Sequence, residues 1–72
     1  MAPVESRALV GRHLRRLRKE QGLSQEGLAE LAGMDRSFLS LVESGKRSIS
    51  VENLCRLAAA LEVHPRVFLE DA

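Results

Sequence analysis

The segment RSFLSLVES, from Arg36 to Ser44, holds side chains suited to binding a partner through hydrogen bonds. In a helix, Leu39 and Val42 lie on one side, and polar residues with one leucine lie on the other. These outward residues are Arg36, Ser37, Ser40, Leu41 and Ser44. A guanidinium donates two parallel hydrogen bonds, and a hydroxyl both donates and accepts. The pattern indicates a recognition surface and not an enzyme, because the sequence shows no paired carboxylate cleft, no nucleophile with a base and no phosphate-binding glycine loop.

A second short helical pattern, QEGLAELA, precedes this segment. Its residues Leu28, Ala29 and Ala32 fall on one apolar side. Gly33 can adopt the left-handed conformation that ends a helix and turns the chain sharply. The small Ala29 lies where the second helix must cross the first. The sequence therefore predicts a helix-turn-helix.

Small and apolar residues around this turn carry a resemblance to a known family. They are Leu28, Ala29, Ala32, Gly33, Met34, Leu39 and Val42. The segment resembles the DNA-binding unit of the phage repressor and Cro family, often called XRE-type, and the match runs from about Gly22 to Val63. The resemblance implies an all-α, compact five-helix bundle of the lambda-repressor-like DNA-binding type, with the helix-turn-helix formed by helices 2 and 3. Apolar periodicity alone would predict only a small helical bundle.

The resemblance implies that the outward residues of helix 3 read base pairs in the major groove of double-stranded DNA. We expect Arg36 to donate to guanine O6 and N7, and Leu41 to pack on a thymine methyl. The hydroxyls of Ser37 and Ser40 can bond a base edge or a phosphate. Two alternatives stay open: Arg36 could contact a phosphate or pair with Asp35, and each serine could be ordinary surface.

Phosphate contacts are expected from the rim of this surface. Gln25 matches the family glutamine that binds a phosphate at the start of helix 2, where backbone N–H groups favour an anion. The loop SGKRS supplies two cations at the place where the family touches the DNA backbone. The full set predicted to contact phosphates is Ser24, Gln25, Ser44, Lys46 and Arg47. Such contacts fix register without reading sequence.

Arg18 and Glu43 occupy corresponding places at the edges of two apolar stripes. Arg18 follows Leu14 by four residues, and Glu43 follows Leu39 by four. A charge at such an edge is partly desolvated and needs a partner. In the family, an arginine of helix 1 commonly pairs with a glutamate late in the recognition helix, and these two residues match. We predict an ion pair that holds helix 1 against helix 3.

Length and composition are those of one small domain, with no room for a ligand-sensing module and no small-molecule ligand expected. The 72 residues are 44% hydrophobic with two Phe and no Trp or Tyr, so Leu, Val and Ala must build the core. We find no apolar run of membrane-spanning length and no signal peptide, and expect a cytoplasmic protein. The single Cys55, even with His13 and His64, predicts no disulfide within the chain, no metal site and no cofactor. Cys55 is expected to be a small buried or interface residue, with an intermolecular disulfide as the alternative.

Charge is polarised along the chain although its total is only +1. Residues 1–20 carry six cations against two carboxylates, whereas residues 51–72 carry two cations against four carboxylates. This asymmetry suits an anionic partner on one side and a protein-like partner on the other.

Start signals predict five helices in a single domain of residues 1–72. The expected ranges are about 7–21, 25–32, 36–43, 51–61 and 65–70. The residues before the last four are Ser24, Asp35, Ser50 and His64, each between apolar residues that can form a staple. Met1 to Glu5 is expected to be a frayed lead, with Pro3 and Ser6 as alternative starts of helix 1. Gly27 and Ile49 depart from the family pattern, which often has an acidic residue and a proline there.

Val67, Phe68 and Leu69 are consecutive and cannot all face one core, so Val67 or Leu69 is left for a partner. In the family this end commonly forms a two-fold dimer, which presents two recognition helices about 34 Å apart to a palindromic operator. We therefore assign Val67, Phe68 and Leu69 to a homodimer interface. A monomer with one exposed apolar residue is the alternative.

The resemblance implies a homodimeric transcriptional regulator controlled by its own concentration. The stretch DRSFLSLVESGKRSISVENLCRLAAAL is similar to restriction–modification controller proteins, which activate from a strong site and repress when a weaker adjacent site fills. RNA polymerase is then a further partner to consider. Two other classes stay open: an antitoxin that gives its C-terminal apolar surface to a toxin, and a protein-interaction domain without salt-sensitive DNA binding.

Overall fold

The computed structural model describes residues 3–71, which form four α-helices followed by one short 3-10 helix. The elements are α1 (Pro3–Glu20), α2 (Gln25–Ala32), α3 (Arg36–Glu43), α4 (Val51–Leu61) and the 3-10 helix (Pro65–Leu69). The predicted all-α class with a helix-turn-helix in α2 and α3 is confirmed. Helices α2, α3 and α4 have the predicted bounds. Within the described range, no helix is long and apolar enough to cross a membrane.

Two elements differ from their predicted form. Helix α1 begins at Pro3, four residues earlier than expected, because proline suits the first helical position and Glu5 lies in the first turn, where the helix dipole favours a carboxylate. Of the two alternative starts, Pro3 is the one that the structure has, so the predicted frayed lead is wrong from Pro3 onward; Met1 and Ala2 lie outside the described residues. The fifth helix is a 3-10 helix and ends at Leu69; Val67 N–H donates to the His64 carbonyl at 3.0 Å, the three-residue spacing of that helix type.

Local capping explains where the central helices begin. Ser24, Asp35 and Ser50 each accept a hydrogen bond from the backbone N–H three residues further along, at 2.9, 3.2 and 3.1 Å. Gly33 ends α2 in the left-handed region, with φ 68°, and so turns the chain into α3. Glu62 ends α4 in the same region, with φ 57°, which no sequence signal indicated.

The core is a single cluster to which every helix contributes. Its largest fully buried side chains are Leu14, Leu28, Leu39, Val42, Leu57, Leu61 and Phe68. Ala29 is also buried, as expected for the residue at the crossing of α2 and α3. Because the core fixes the inner faces of both helices, it also fixes which side of α3 faces outward.

Helix α1 approaches the end of α3 at Gly11, a residue that the sequence reasoning did not identify. A Cβ atom at Gly11 would lie 2.5 Å from the carbonyl oxygen of Glu43 and 2.8 Å from that of Val42. Only a residue without a side chain allows this distance. The position of α3 against α1 therefore depends on Gly11.

Candidate nucleic-acid interface

The predicted base-contacting residues share the outer surface of α3. Arg36 and Ser37 are exposed, Ser40 is half-buried and Leu41 is 38% exposed. We call these four residues the α3 outer surface. It is amphipathic packing that places them there, because Leu39 and Val42 occupy the buried side of the same helix. The α3 outer surface thus offers a guanidinium, two hydroxyls and an apolar contact on one short helix.

Arg36 is paired with a carboxylate on the neighbouring helix. Its Nε lies 3.9 Å from Oε1 of Glu26, and both side chains are well exposed. Its recorded ion-pair partner is thus Glu26 and not Asp35, whose carboxylate accepts the hydrogen bond from Phe38 N–H. A long contact between exposed charges is screened by water and contributes little. The Arg36 guanidinium can therefore exchange Glu26 for a base edge at small cost.

The start of α2 supplies two of the predicted phosphate-contacting residues. Ser24 uses its hydroxyl oxygen to accept from Gly27 N–H, which leaves its O–H free to donate. Gln25 is half-buried, and its Nε2 donates to Oε1 of Glu43 at 3.1 Å. An amide nitrogen carries two hydrogens, so a second donor remains on Gln25. The bond from Gln25 to Glu43 was not predicted.

The three remaining phosphate candidates lie at the end of α3 and in the loop that follows. Lys46 is exposed. The Arg47 guanidinium lies over the ring of Phe38, 5.5 Å from its centroid, a cation–π arrangement that the sequence did not suggest. The Ser44 hydroxyl donates to the carbonyl of Leu41 at 3.0 Å, so its donor is already used within the chain. Lys46 and Arg47 are the two cations among the three, and both residues are exposed.

The expected ion pair between Arg18 and Glu43 is present and nearly buried. Arg18 Nε donates to Glu43 Oε2 at 2.6 Å and Nη2 donates to Oε1 at 3.1 Å, with the side chains 11% and 4% exposed. Arg18 Nη1 also donates to the carbonyl of Leu23 at 2.8 Å. One guanidinium therefore joins α1, the connection to α2 and the last residue of α3.

The C-terminal residues assigned to a dimer interface have different surroundings. Phe68 is fully buried within this chain, so its assignment to an interface is wrong. A sequence segment this short does not distinguish a 3-10 helix, with three residues per turn, from an α-helix, with 3.6. The sequence therefore did not show which of the three side chains points inward. Val67 packs against the core, and Leu69 remains 57% exposed.

Leu69 is one of the residues that line a surface groove of about 210 Å³. The apolar groove, as we call it, is lined by Val10, Ile49, Val51, Leu54 and Leu69. Val51 is 77% exposed, so it and Leu69 offer two large apolar side chains at one place. Arg7 and Arg47 also line this groove.

Other chemistry is weakly represented in the part of the chain that the structure covers. No group of three His, Cys, Asp or Glu residues is placed to hold a metal ion there. Cys55 is exposed on α4, so it is not buried within the chain, and its interface role stays a prediction.

Comparison with known proteins gives a consistent result. The sequence profile of the family described as "Helix-turn-helix" matches residues 14–68. The control protein C.MunI of a Mycoplasma species is 43% identical over 54 residues, which are 74% of this chain and 73% of that protein. The crystal structure of the restriction-modification controller protein C.AhdI from Aeromonas hydrophila superposes with a TM-score of 0.84 at 47% identity, covering 86% of this chain and 94% of that one. The biofilm regulator SinR in complex with DNA superposes with a TM-score of 0.82 at 34% identity, covering 85% of this chain and 98% of that one.

Proposed function

The chain belongs to the helix-turn-helix family of DNA-binding transcriptional regulators, and from this premise we propose that it binds a palindromic operator as a homodimer and controls restriction–modification genes. The observation that carries the proposal is the α3 outer surface, where Arg36 and its polar neighbours project from a helix whose other side is buried. The relatives named above are controller proteins and regulators, so we propose no catalytic activity. Its target would place it in the cytoplasm.

With α3 in the major groove, one set of residues contacts bases and a second set contacts phosphates. Arg36 lies in the first turn of α3 and leaves Glu26 to donate two hydrogen bonds to guanine, while Leu41 packs on a thymine methyl. Ser24, Gln25 and Lys46 contact phosphates on either side and set the register.

We expect Arg36→Ala and Lys46→Ala to weaken DNA binding in different ways. Arg36→Ala should reduce the preference for operator over random duplex by about 1–3 kcal/mol, because a bidentate base contact is lost. Lys46→Ala should weaken both duplexes alike and lower the slope of log K against log salt by about 0.9, because one phosphate loses its cation. Sites selected from random DNA supply the operator, and fluorescence anisotropy across a salt series measures both quantities. Unchanged preference in both variants would contradict this division.

The homodimer is supported by the apolar groove. A second copy that packs its Leu69 against the apolar groove would bury apolar side chains of both chains, because the groove is itself lined by Leu69. Reciprocal exchange of the same segment gives a two-fold dimer. Binding to a palindromic operator requires the dimer to hold two copies of α3 one helical turn of DNA apart, about 34 Å.

We expect Leu69→Asp to convert the dimer into a monomer, because a carboxylate would have to be buried in the apolar groove. Sedimentation velocity over a concentration series measures the change. Leu31→Asp is the matched control, since Leu31 is 62% exposed on α2 and does not line the groove. Equal self-association of the two variants would exclude this face as the interface.

Control of restriction–modification genes predicts a response that depends on concentration. Transcription in vitro, from a template with the selected operators upstream of the gene for this chain, should rise and then fall as protein is added. The rise needs a strong site and the fall needs a weaker adjacent one. A response that only falls would leave a DNA-binding repressor, and a flat response would exclude control of this gene. Co-purification of a second small protein would instead point to an antitoxin.

A further inference from the structure

We propose that Glu43 is a positioning residue for DNA binding, whose carboxylate orients the amide of Gln25 toward a backbone phosphate while Arg18 neutralises that carboxylate. The proposal rests on the proposed function, because it assigns a role within the same protein–DNA contact. It goes beyond an ion pair that only holds two helices together.

Side chains from α1 and α2 both contact the carboxylate of Glu43, which belongs to α3. Glu43 ends α3 and is 4% exposed. It accepts hydrogen bonds from two nitrogens of Arg18 on α1, at 2.6 and 3.1 Å, and from Nε2 of Gln25 on α2, at 3.1 Å. Gln25 is the first residue of α2 and is only half-buried.

The chemistry of the amide explains why this bond matters for an anion. A phosphate oxygen can only accept hydrogen bonds, and a glutamine side chain donates only from Nε2. If the amide turned over, Oε1 would face the Glu43 carboxylate, and two acceptors would meet without a proton between them. Glu43 therefore selects the amide orientation that keeps Nε2 at the protein and leaves its second N–H for a phosphate.

The charge of Glu43 has to be neutralised for this arrangement to bind DNA. An unpaired carboxylate behind Gln25 would repel an approaching phosphate, and burial would strengthen that repulsion. Arg18 donates two hydrogen bonds to the carboxylate, and its third nitrogen donates to the carbonyl of Leu23. The cation is therefore fixed in place before DNA arrives.

A double-mutant cycle in the full chain tests the proposal. Gln25→Met should weaken operator and random duplex alike by about tenfold, because a hydrogen bond to a charged group is lost. The salt slope should stay the same, since a neutral amide displaces no counterion. The loss of affinity caused by Glu43→Gln should be at least about fivefold larger in the wild-type background than in the Gln25→Met background, since the charge that this change leaves on Arg18 acts alike in both. Gln21→Met is the matched control, because the Gln21 amide donates to the carbonyl of Leu61 and should leave DNA affinity unchanged.

Glu43→Gln acting equally in both backgrounds would overturn the proposal, because its effect would then not pass through Gln25. Circular dichroism at the assay temperature establishes that each variant is folded. If Glu43→Gln does not fold, hydrogen exchange of the Gln25 side-chain amide in the wild-type protein gives a second test. Exchange slower than in free glutamine supports the bond to Glu43, and exchange at the free rate refutes it.

The same measurements separate this proposal from the proposed function. A wild-type protein that prefers no duplex over another would end the proposed function. A wild-type protein that binds its operator and responds to Lys46→Ala, but not to Gln25→Met, would retain the function and reject only the role given to Glu43.

Discussion

Glu43→Ala is expected to lower the free energy of unfolding by about 3–5 kcal/mol, because it leaves the guanidinium of Arg18 nearly buried without its carboxylate. The side chains of the pair are 11% and 4% exposed, so water cannot replace the lost partner without opening the contact between α1 and α3. A domain of this size has little stability in reserve, and a large fraction of the variant should be unfolded at 37 °C. Urea denaturation followed by circular dichroism measures the loss.

The partner substitution shows whether the two side chains act together. Arg18→Met combined with Glu43→Ala should cost clearly less than the sum of the single changes, since the second change removes the unpaired charge left by the first. The ion pair between Arg16 and Glu20 is the matched control, with side chains 47% and 59% exposed at 3.2 Å. Glu20→Ala should cost only about 0.3–0.5 kcal/mol. Small additive losses at Arg18 and Glu43 would contradict the coupling.

The helix-turn-helix was predictable because its signals are local. Ser24 and Asp35 cap helices by bonding to a backbone N–H three residues away, and Gly33 permits the left-handed turn without help from distant residues. The alternation of Leu39 and Val42 with polar residues then fixed which side of α3 faces outward. Sequence patterns of this kind involve residues within about one helical turn of each other, so the structure that they predict does not depend on the rest of the fold.

Side-chain contacts between helices were harder to predict, because one sequence is compatible with many different pairs of contacting residues. Arg36 was expected to pair with Asp35 if with any carboxylate, but Asp35 is used as a cap and Glu26 of α2 is the nearby acid. The bond from Gln25 to Glu43 likewise depends on the crossing of α2 and α3, which no periodicity specifies. The predicted pair of Arg18 and Glu43 came from the family resemblance, and spacing alone did not give it.

The glycine at position 11 is itself a sequence signal for close packing, although the sequence analysis above did not use it. A glycine inside a helix costs about 1 kcal/mol relative to alanine, so an interior glycine usually has a packing reason. In α1 that reason is the approach of the α3 backbone to within 2.5 Å of where a Cβ would stand. Which helix approaches Gly11 could not be known before the fold was.

Gly11→Ala is accordingly expected to destabilise the protein, by about 3 kcal/mol, despite the better helix propensity of alanine. The added methyl would overlap the carbonyl oxygens of Val42 and Glu43, and because these are backbone atoms α1 must shift away from α3. That shift should also loosen the hydrogen bonds between Arg18 and Glu43, so DNA affinity should fall even under conditions where the variant is folded. Urea denaturation and operator binding measure the two effects.

Gly27→Ala separates overlap from propensity, because the same methyl is added to a helical glycine whose nearest neighbour is a side chain, the hydroxyl of Ser24 at 3.2 Å. A hydroxyl can move by a few tenths of an ångström, whereas the end of α3 cannot move without its neighbours. We expect Gly27→Ala to change the free energy of unfolding by less than about 1 kcal/mol. If Gly11→Ala proved as mild as Gly27→Ala, the backbone approach of α1 to α3 would not determine how the recognition helix is held.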